Sequence, residues 1–134
     1  MGQLYLPPLF EYQQEFSDAP HWRKQANWGR RTGKSRGMLF MGVVGHGPID
    51  DNGARLHRGL AQGGSILWVS LDYKQLKTIW AEEVYPRWTR AGLYTNSTDY
   101  EAHLGPARLI MRSAENPDNI RGAGKGVSGV ILDE

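Results

Sequence analysis

The residue types that bind a polyphosphate occur together in one segment, Trp28 to Ser35 (Trp-Gly-Arg-Arg-Thr-Gly-Lys-Ser). Glycines let backbone N–H groups close around phosphate oxygens, and the N-terminus of a following helix adds a favourable dipole. The lysine of such a loop meets the outer phosphates, and the hydroxyl after it binds Mg²⁺. We therefore predict a phosphate loop made of Gly29, Arg30, Arg31, Thr32, Gly33, Lys34 and Ser35.

The first glycine of this segment departs from the usual spacing. The pattern G-x-x-x-x-G-K-[ST] would place it at position 28, where the chain has Trp28, and the first glycine comes at Gly29. Glycine patterns of this length also occur in ordinary loops. A basic turn without a ligand is therefore the alternative interpretation of this segment taken alone.

A short apolar run from Gly129 to Leu132 leads into two adjacent carboxylates, Asp133 and Glu134. Buried parallel strands are continuous aliphatic runs, and their carboxyl ends are where α/β sheets bind ligands. An Asp at that edge can hold the Mg²⁺ of a nucleotide, and a Glu beside it can polarise the attacking water. The alternative is a strand followed by a solvated acidic turn. Downstream of a Gly-Lys-Ser loop, the pair favours an ATPase.

Bulk composition is that of one small globular domain. The chain has 134 residues, of which 40% are hydrophobic and 22% charged. The net charge of +2 is too small to argue for nucleic acid, and the absence of cysteine excludes disulfides and thiolate metal sites. The sequence offers neither a signal peptide nor a window that could span a bilayer. We expect a soluble, cytosolic protein.

Hydrophobic patterning predicts alternating strands and helices. Strands are expected at residues 21–27 (unusually polar), 65–70, 107–113 and 129–132, and helices at residues 34–44 and from 72 until Pro86 ends the second one. Residues 45–64 read as a loop with one helical turn around 54–60, and 87–106 as polar and irregular. His46 and His57 lack a third ligand at useful spacing and are expected to face solvent. The order predicts an α/β fold with a mostly parallel sheet.

Four features in order resemble the N-terminal ATPase part of the large terminase subunit, the DNA-packaging motor of tailed bacteriophages. They are Gln13-Gln14-Glu15-Phe16 ahead of the loop, Gly29 to Ser35 with an arginine four residues before the lysine, Ile66 to Ser70 running into Tyr73-Lys74-Gln75, and Ser113 to Asp118 continuing through Arg121-Gly122 to Asp133-Glu134. The resemblance spans most of the chain. It implies a P-loop NTPase fold of the RecA/ASCE type, with a mostly parallel sheet flanked by helices.

The resemblance also implies roles for single residues. Lys34 would contact the outer phosphates of ATP, while Ser35 and Asp133 would hold Mg²⁺. Glu134 would activate water, and Arg30 would stabilise charge in the transition state. Gln14 would read the adenine, with Gln13 as the rival.

The domain and its partners follow from the same resemblance. Residues 1–134 would be the N-terminal portion of a P-loop ATPase domain, incomplete at its C-terminal end and without the nuclease domain. Residues 1–20 would form the adenine-side entry and 45–64 an insertion. Implied partners are double-stranded viral DNA, the small terminase subunit, the portal and procapsid, and further copies in a homo-oligomeric ring, in the host cytoplasm and not at a membrane. The alternatives are a helicase-type P-loop ATPase and a nucleotide-binding fragment without turnover.

Overall fold

The computed structural model describes residues 4, 6, 9, 11–19, 34–115, 118, 120 and 126–133. Four sequence-based predictions lie outside the described residues: the strand over 21–27, the loop residues Gly29 to Gly33, the Arg121-Gly122 motif, and the base Glu134. The remaining predictions can be compared with the structure.

The described elements alternate between helices and strands along the chain. Helices are α1 (Glu11–Asp18), α2 (Lys34–Val44), α3 (Tyr73–Ile79) and α4 (Tyr85–Arg90), with a 3₁₀ turn at Leu60–Gln62 and a π-helical turn at Trp80–Val84. Strands are β1 (His46–Ile49), β2 (Arg55–His57), β3 (Ser65–Ser70), β4 (Thr95–Asn96), β5 (Glu101–Leu104), β6 (Ala107–Ser113) and β7 (Val127–Asp133). None of the helices in this described part is long and apolar enough to cross a membrane.

A five-stranded sheet in the order β4-β5-β6-β3-β7 organises the fold. Strand β3 is parallel to both β6 and β7, whereas β5 is antiparallel to β4 and β6. The prediction of an α/β fold is confirmed, but the sheet is mixed rather than mostly parallel. The difference lies in residues 87–106, predicted as irregular, where β5 turns back into β6 through Gly105 and Pro106. Gly105 has φ of 60°, the left-handed conformation that a two-residue hairpin loop favours.

Helices α2, α3 and α4 cover one face of this sheet. Side chains from β3 and β6 on that face, Ile66, Trp68, Leu109 and Met111 among them, form one buried cluster with helix residues Leu39, Val43, Leu76, Ile79, Val84 and Trp88. Gly42 of α2 lies against β7, since a Cβ there would stand 3.3 Å from Cδ1 of Ile131. The glycine therefore lets α2 approach the strand closely, although glycine weakens a helix.

The second predicted helix does not end at Pro86. The chain passes from α3 through the π-helical turn, where the Tyr85 N–H bonds the Trp80 carbonyl, and continues into α4. Pro86 lies in the first turn of α4, where a missing N–H removes no helical hydrogen bond. The wider turn thus allows a proline that an uninterrupted α-helix would exclude.

Residues 45–64 form a hairpin and a 3₁₀ turn rather than a loop with one helical turn around 54–60. Strands β1 and β2 are antiparallel, and Oδ1 of Asp50 accepts the N–H groups of Asn52 and Ala54 across their connection, both at 2.9 Å. His46 pairs with His57 in register, and their rings stack with centroids 4.5 Å apart. The prediction that both histidines face solvent is wrong, because pairing of the strands half-buries each ring against the other.

Candidate functional site

Three polar side chains meet where the parallel strands end. Ser70 closes β3 and lies in register with Ser113 of β6 on one side and Asp133 of β7 on the other. All three are buried. Residues in register on parallel strands point to the same side of a sheet, here the side that the helices cover. This carboxyl edge is the place where α/β sheets bind ligands.

Helix α2 brings Lys34 and Ser35 to the same edge. Its C-terminal half lies over Ile66, at the start of β3, so its N-terminal end lies over the carboxyl ends of the strands. Nζ of Lys34 is 3.8 Å from Oδ1 of Asp133, with 29% of the lysine side chain and 2% of the aspartate side chain exposed. Two residues from opposite ends of the chain therefore form one charged pair at the predicted site.

Burial dominates the protonation of Asp133. Loss of solvent raises the pKa of this carboxyl group above its ordinary value. The Lys34 ammonium acts in the opposite direction, followed by the donors of Gln75, Ser35 and Trp68, but these lower the pKa by less than burial raises it. Lys34 and the nearby donors therefore offset only part of the cost of burying this charge, and a further positive group would stabilise the carboxylate.

Three buried polar atoms at this edge have no hydrogen-bond partner among the described residues. They are Oδ2 of Asp133, Nε1 of Trp68 and Oγ of Ser70. The donors near Asp133 thus lower its pKa without reaching Oδ2 in hydrogen-bonding geometry. A buried polar group left unpaired costs roughly 1–3 kcal/mol, so unpaired atoms grouped at one edge are typical of a binding site.

The donor set fits Mg²⁺. This ion prefers oxygen ligands and keeps several waters, with one or two carboxylates and substrate phosphates completing its shell. Asp133 supplies an unpaired carboxylate oxygen, and Ser35 supplies a hydroxyl close enough to affect the carboxylate. No group of three His, Cys, Asp or Glu residues that could hold a metal occurs in the described ranges. Ser35 and Asp133 could therefore hold a magnesium ion whose remaining ligands are phosphates and water.

A cavity of about 440 Å³ opens beside Ser35, between α2 and α3. Its lining consists of Ser35, Asp72, Lys74, Gln75, Thr78, Ile79, Glu82 and Glu83. Nε of Arg36 lies 3.1 Å from Oε1 of Glu83, which also binds Arg87. Burial raises the pKa of Glu83, but Arg87 and Arg36 outweigh it and hold the pKa below its ordinary value. An ionised glutamate thus ties the first turn of α2 to the helical segment across the cavity.

The predicted adenine contacts lie on α1, which packs against β1. Nε2 of Gln14 donates to Oδ1 of Asp18 at 2.8 Å, and the same oxygen accepts from Nη1 of Arg55. Gln13 is buried, with 2% of its surface exposed. The choice between Gln13 and Gln14 as the adenine contact stays a prediction.

Of the predicted site residues, the structure brings together Lys34, Ser35 and Asp133. Gly29, Arg30, Arg31, Thr32, Gly33 and Glu134 lie outside the described residues. Sequence reasoning missed Trp68, Ser70 and Gln75 as site residues. A signal for Gln75 was available, because Asp72 marks the start of a helix immediately after a buried strand, and that start lies at the carboxyl edge.

Comparisons with family models, with curated proteins and with solved structures find no match to this chain. The function is therefore inferred from the site itself and from the order of its motifs. The features that carry it are a lysine and a serine at the start of a helix, and an aspartate at the end of a buried parallel strand.

Proposed function

We propose that this chain is the ATPase part of a phage terminase large subunit, with a P-loop NTPase fold that binds ATP together with Mg²⁺. The observation that carries the proposal is the 3.8 Å approach of Lys34 Nζ to Asp133 Oδ1. A phosphate-loop lysine and a strand-end aspartate serve one nucleotide only if they lie at the same place. Here they do so from nearly opposite ends of the sequence.

The first turn of α2 supports phosphate binding. The N–H groups in the first turn of an α-helix point away from its C-terminal end, and this eleven-residue helix presents its positive dipole end at the carboxyl edge. Lys34 stands at this end with nearly a third of its side chain exposed, so its ammonium can meet outer phosphates. Asp133 lies deeper, and the Lys34 ammonium favours its ionised form against the effect of burial. The arrangement places positive groups outward and the carboxylate beneath them.

Ser35 and Asp133 are the residues that would hold Mg²⁺. A bound ion would supply positive charge that offsets the negative charge developing on the phosphates. Arg30 and Glu134 complete the proposal in the roles that the terminase resemblance implies, Arg30 for transition-state charge and Glu134 for orienting the attacking water. In the whole motor, hydrolysis would drive double-stranded DNA into a procapsid through the portal. The small subunit and a homo-oligomeric ring in the host cytoplasm belong to the same proposal.

A helicase-type P-loop ATPase would use Lys34, Asp133 and Glu134 in the same roles. The terminase interpretation is preferred because of the order of all four motifs, especially Arg121-Gly122 placed before the strand that ends in Asp133. The sequence that follows Glu134 in a longer protein containing this chain would distinguish a terminase from a helicase. An RNase H-like carboxylate set downstream supports a terminase, whereas a second RecA-like half supports a helicase.

Equilibrium binding tests the proposed site without requiring turnover. A fluorescent ATP analogue is titrated with the full chain in Mg²⁺, comparing the parent with Lys34→Ala and with Lys77→Ala. Lys77 lies on α3 above the ring of Tyr73, outside the cavity lining, and serves as the matched control. We expect Lys34→Ala to weaken binding at least about tenfold, in line with a charge-assisted phosphate contact, and Lys77→Ala to bind like the parent. Equal affinity for all three proteins would refute the nucleotide site.

A nucleotide-binding module without turnover is the remaining alternative. Phosphate release distinguishes it from an ATPase, measured on a longer protein that contains this chain and compared with its Glu134→Gln variant. The ATPase proposal requires that the variant bind ATP and lose hydrolysis. A parent protein that binds ATP tightly and releases no phosphate in the presence of DNA would instead support the binding module.

A further inference from the structure

We infer that Gln75 is a positioning residue for Asp133, and that its side-chain amide and the indole N–H of Trp68 orient the carboxylate toward a cation beside Ser35. The inference rests on the proposed function, because it assigns a role at the same site. It concerns two residues that the phosphate-loop and strand-end motifs do not include.

The start of α3 places Gln75 at the carboxyl edge. Asp72 caps the helix, its Oδ1 accepting the Gln75 N–H at 2.7 Å, and the helix follows β3 after two residues. Gln75 therefore lies in a first turn that is pinned beside the ends of β3 and β7. It lines the same cavity as Ser35, so both side chains face one space. Of the residues near Asp133, Gln75 is the one whose donor comes from outside the sheet and outside α2.

Trp68 approaches the same carboxylate from within the sheet. It is in register with Ile131, two residues before the pair Ser70 and Asp133, and it is fully buried. Its Nε1 has no acceptor, and Oδ2 of Asp133 has no donor, among the residues that the structure describes. An unpaired donor and an unpaired acceptor adjacent in one buried place can satisfy each other by a small reorientation of the carboxylate. The indole N–H of Trp68 is thus a second donor that can fix the orientation of the Asp133 carboxylate.

A carboxylate has about four lone-pair sites on its two oxygens, so Oδ2 can accept such a donor and still bind a metal. Hydrogen-bonding partners of metal ligands fix ligand orientation, and their removal typically reduces metal affinity or activity by about 10- to 100-fold. Phosphate binding by Lys34 and the start of α2 does not depend on them. Loss of Gln75 should therefore weaken Mg²⁺-dependent nucleotide binding and spare Mg²⁺-independent binding.

The experiment compares nucleotide affinity in Mg²⁺ with affinity in EDTA. A fluorescent ADP analogue is titrated with the parent and with Gln75→Leu, which keeps the side chain's size and removes its donor. Thr89→Val is the matched control, since Thr89 lies on α4 outside the cavity lining and its hydroxyl donates to the Tyr85 carbonyl. We expect the Mg²⁺ concentration at half-saturation to rise about 10- to 100-fold in Gln75→Leu. Affinity in EDTA should stay within about twofold, and Thr89→Val should match the parent both in Mg²⁺ and in EDTA.

Two further variants keep the test decisive. Trp68→Phe keeps an aromatic ring and removes the indole donor, so it should raise the Mg²⁺ requirement in the same direction. Gln75→Asn keeps an amide donor on a shorter side chain, so it should raise the Mg²⁺ requirement less than Gln75→Leu does.

The outcomes separate this inference from the proposed function. If Asp133→Asn raises the Mg²⁺ requirement and Gln75→Leu does not, the positioning role is overturned while the site stands. If Gln75→Leu weakens binding equally in Mg²⁺ and in EDTA, its role is structural and the inference is overturned. If Lys34→Ala and Asp133→Asn both bind as the parent does, the proposed function itself fails.

Discussion

Replacing each partner of the Lys34–Asp133 pair should have unequal effects on stability. Lys34→Met keeps the aliphatic stem and removes the charge, leaving an uncompensated carboxylate of which only 2% is exposed. Removing one partner of a fully buried pair costs about 3–5 kcal/mol. Because Lys34 is 29% exposed, solvent screens part of the interaction, and we expect a loss of about 1–3 kcal/mol at pH 7.5. Asp133→Asn leaves an ammonium that water can solvate and removes the buried charge, so it should change stability by less than about 1 kcal/mol.

The pH dependence gives the same prediction an independent test. Burial raises the folded-state pKa of Asp133 above 3.8, so its contribution to stability is complete below that value and is lost as pH rises through the folded pKa. Asparagine does not titrate. The stability of Asp133→Asn relative to the parent should therefore increase as pH rises above 3.8 and through the raised folded pKa. The stability lost in Lys34→Met should shrink as pH falls through the folded pKa of Asp133, because a protonated carboxyl group no longer needs the ammonium.

Urea unfolding followed by tryptophan fluorescence measures these differences for the parent and both variants at each pH. Similar slopes of free energy against urea would show that the variants unfold from a comparable native state. The reasoning is refuted if Lys34→Met is neutral at pH 7.5, or if Asp133→Asn costs as much as Lys34→Met.

Three further predictions concern the elements that support the site. Glu83→Gln should lower the free energy of unfolding by about 1 kcal/mol at neutral pH. This loss should vanish as pH falls below 4.5 and through the lowered folded pKa, because protonated Glu83 no longer needs its arginine partners. A loss of stability that does not change with pH would contradict this prediction. Gly105→Ala should lower the free energy of unfolding by about 1 kcal/mol, since φ is 60° there, and an unchanged urea midpoint would contradict it. Asp72→Ala should cost about 1 kcal/mol through loss of the helix cap and should also raise the Mg²⁺ requirement by displacing Gln75; destabilisation with parental Mg²⁺ dependence would separate the two effects and reject the second.

The strands and helices nearest the site were predictable because each is dominated by one local signal. Strand β3 is buried along nearly its whole length, so it had to be a continuous apolar run, and β6 reads in the same way. Asp72 marks the start of α3 through its own side chain, a signal confined to four residues. Sequence signals of this kind depend little on the rest of the fold.

The errors came from elements whose conformation depends on neighbours. Pro86 reads as a helix end, but a π-helical turn before it removes the conflict. Strands β4 and β5 are short and polar, and they exist because β6 offers an edge to pair with. His46 and His57 face each other only because the hairpin brings two distant loop positions into register. Such pairings involve partners that a local sequence window does not contain.

At the candidate site, sequence motifs indicated Lys34, Ser35 and Asp133 because each occupies a defined place in a known phosphate-binding pattern. Trp68 lies in the strand predicted over residues 65–70, and its burial agrees with that prediction. Its second property, an unpaired N–H near a carboxylate, depends on the register between β3 and β7. Register is a relation between strands far apart in the chain, so the sequence of β3 alone could not specify it.

Arg36 has a mechanical consequence for any ligand bound at Ser35. It follows Ser35 on α2, and its guanidinium forms an ion pair with Glu83. The other arginine partner of Glu83 is Arg87 of α4. A rearrangement of the first turn of α2 would therefore displace Glu83 through this ion pair. The same displacement would act on α4, whose Trp88 indole N–H donates to the carbonyl of His103 in β5. Three polar links thus connect the carboxyl edge of the parallel strands with the antiparallel part of the sheet.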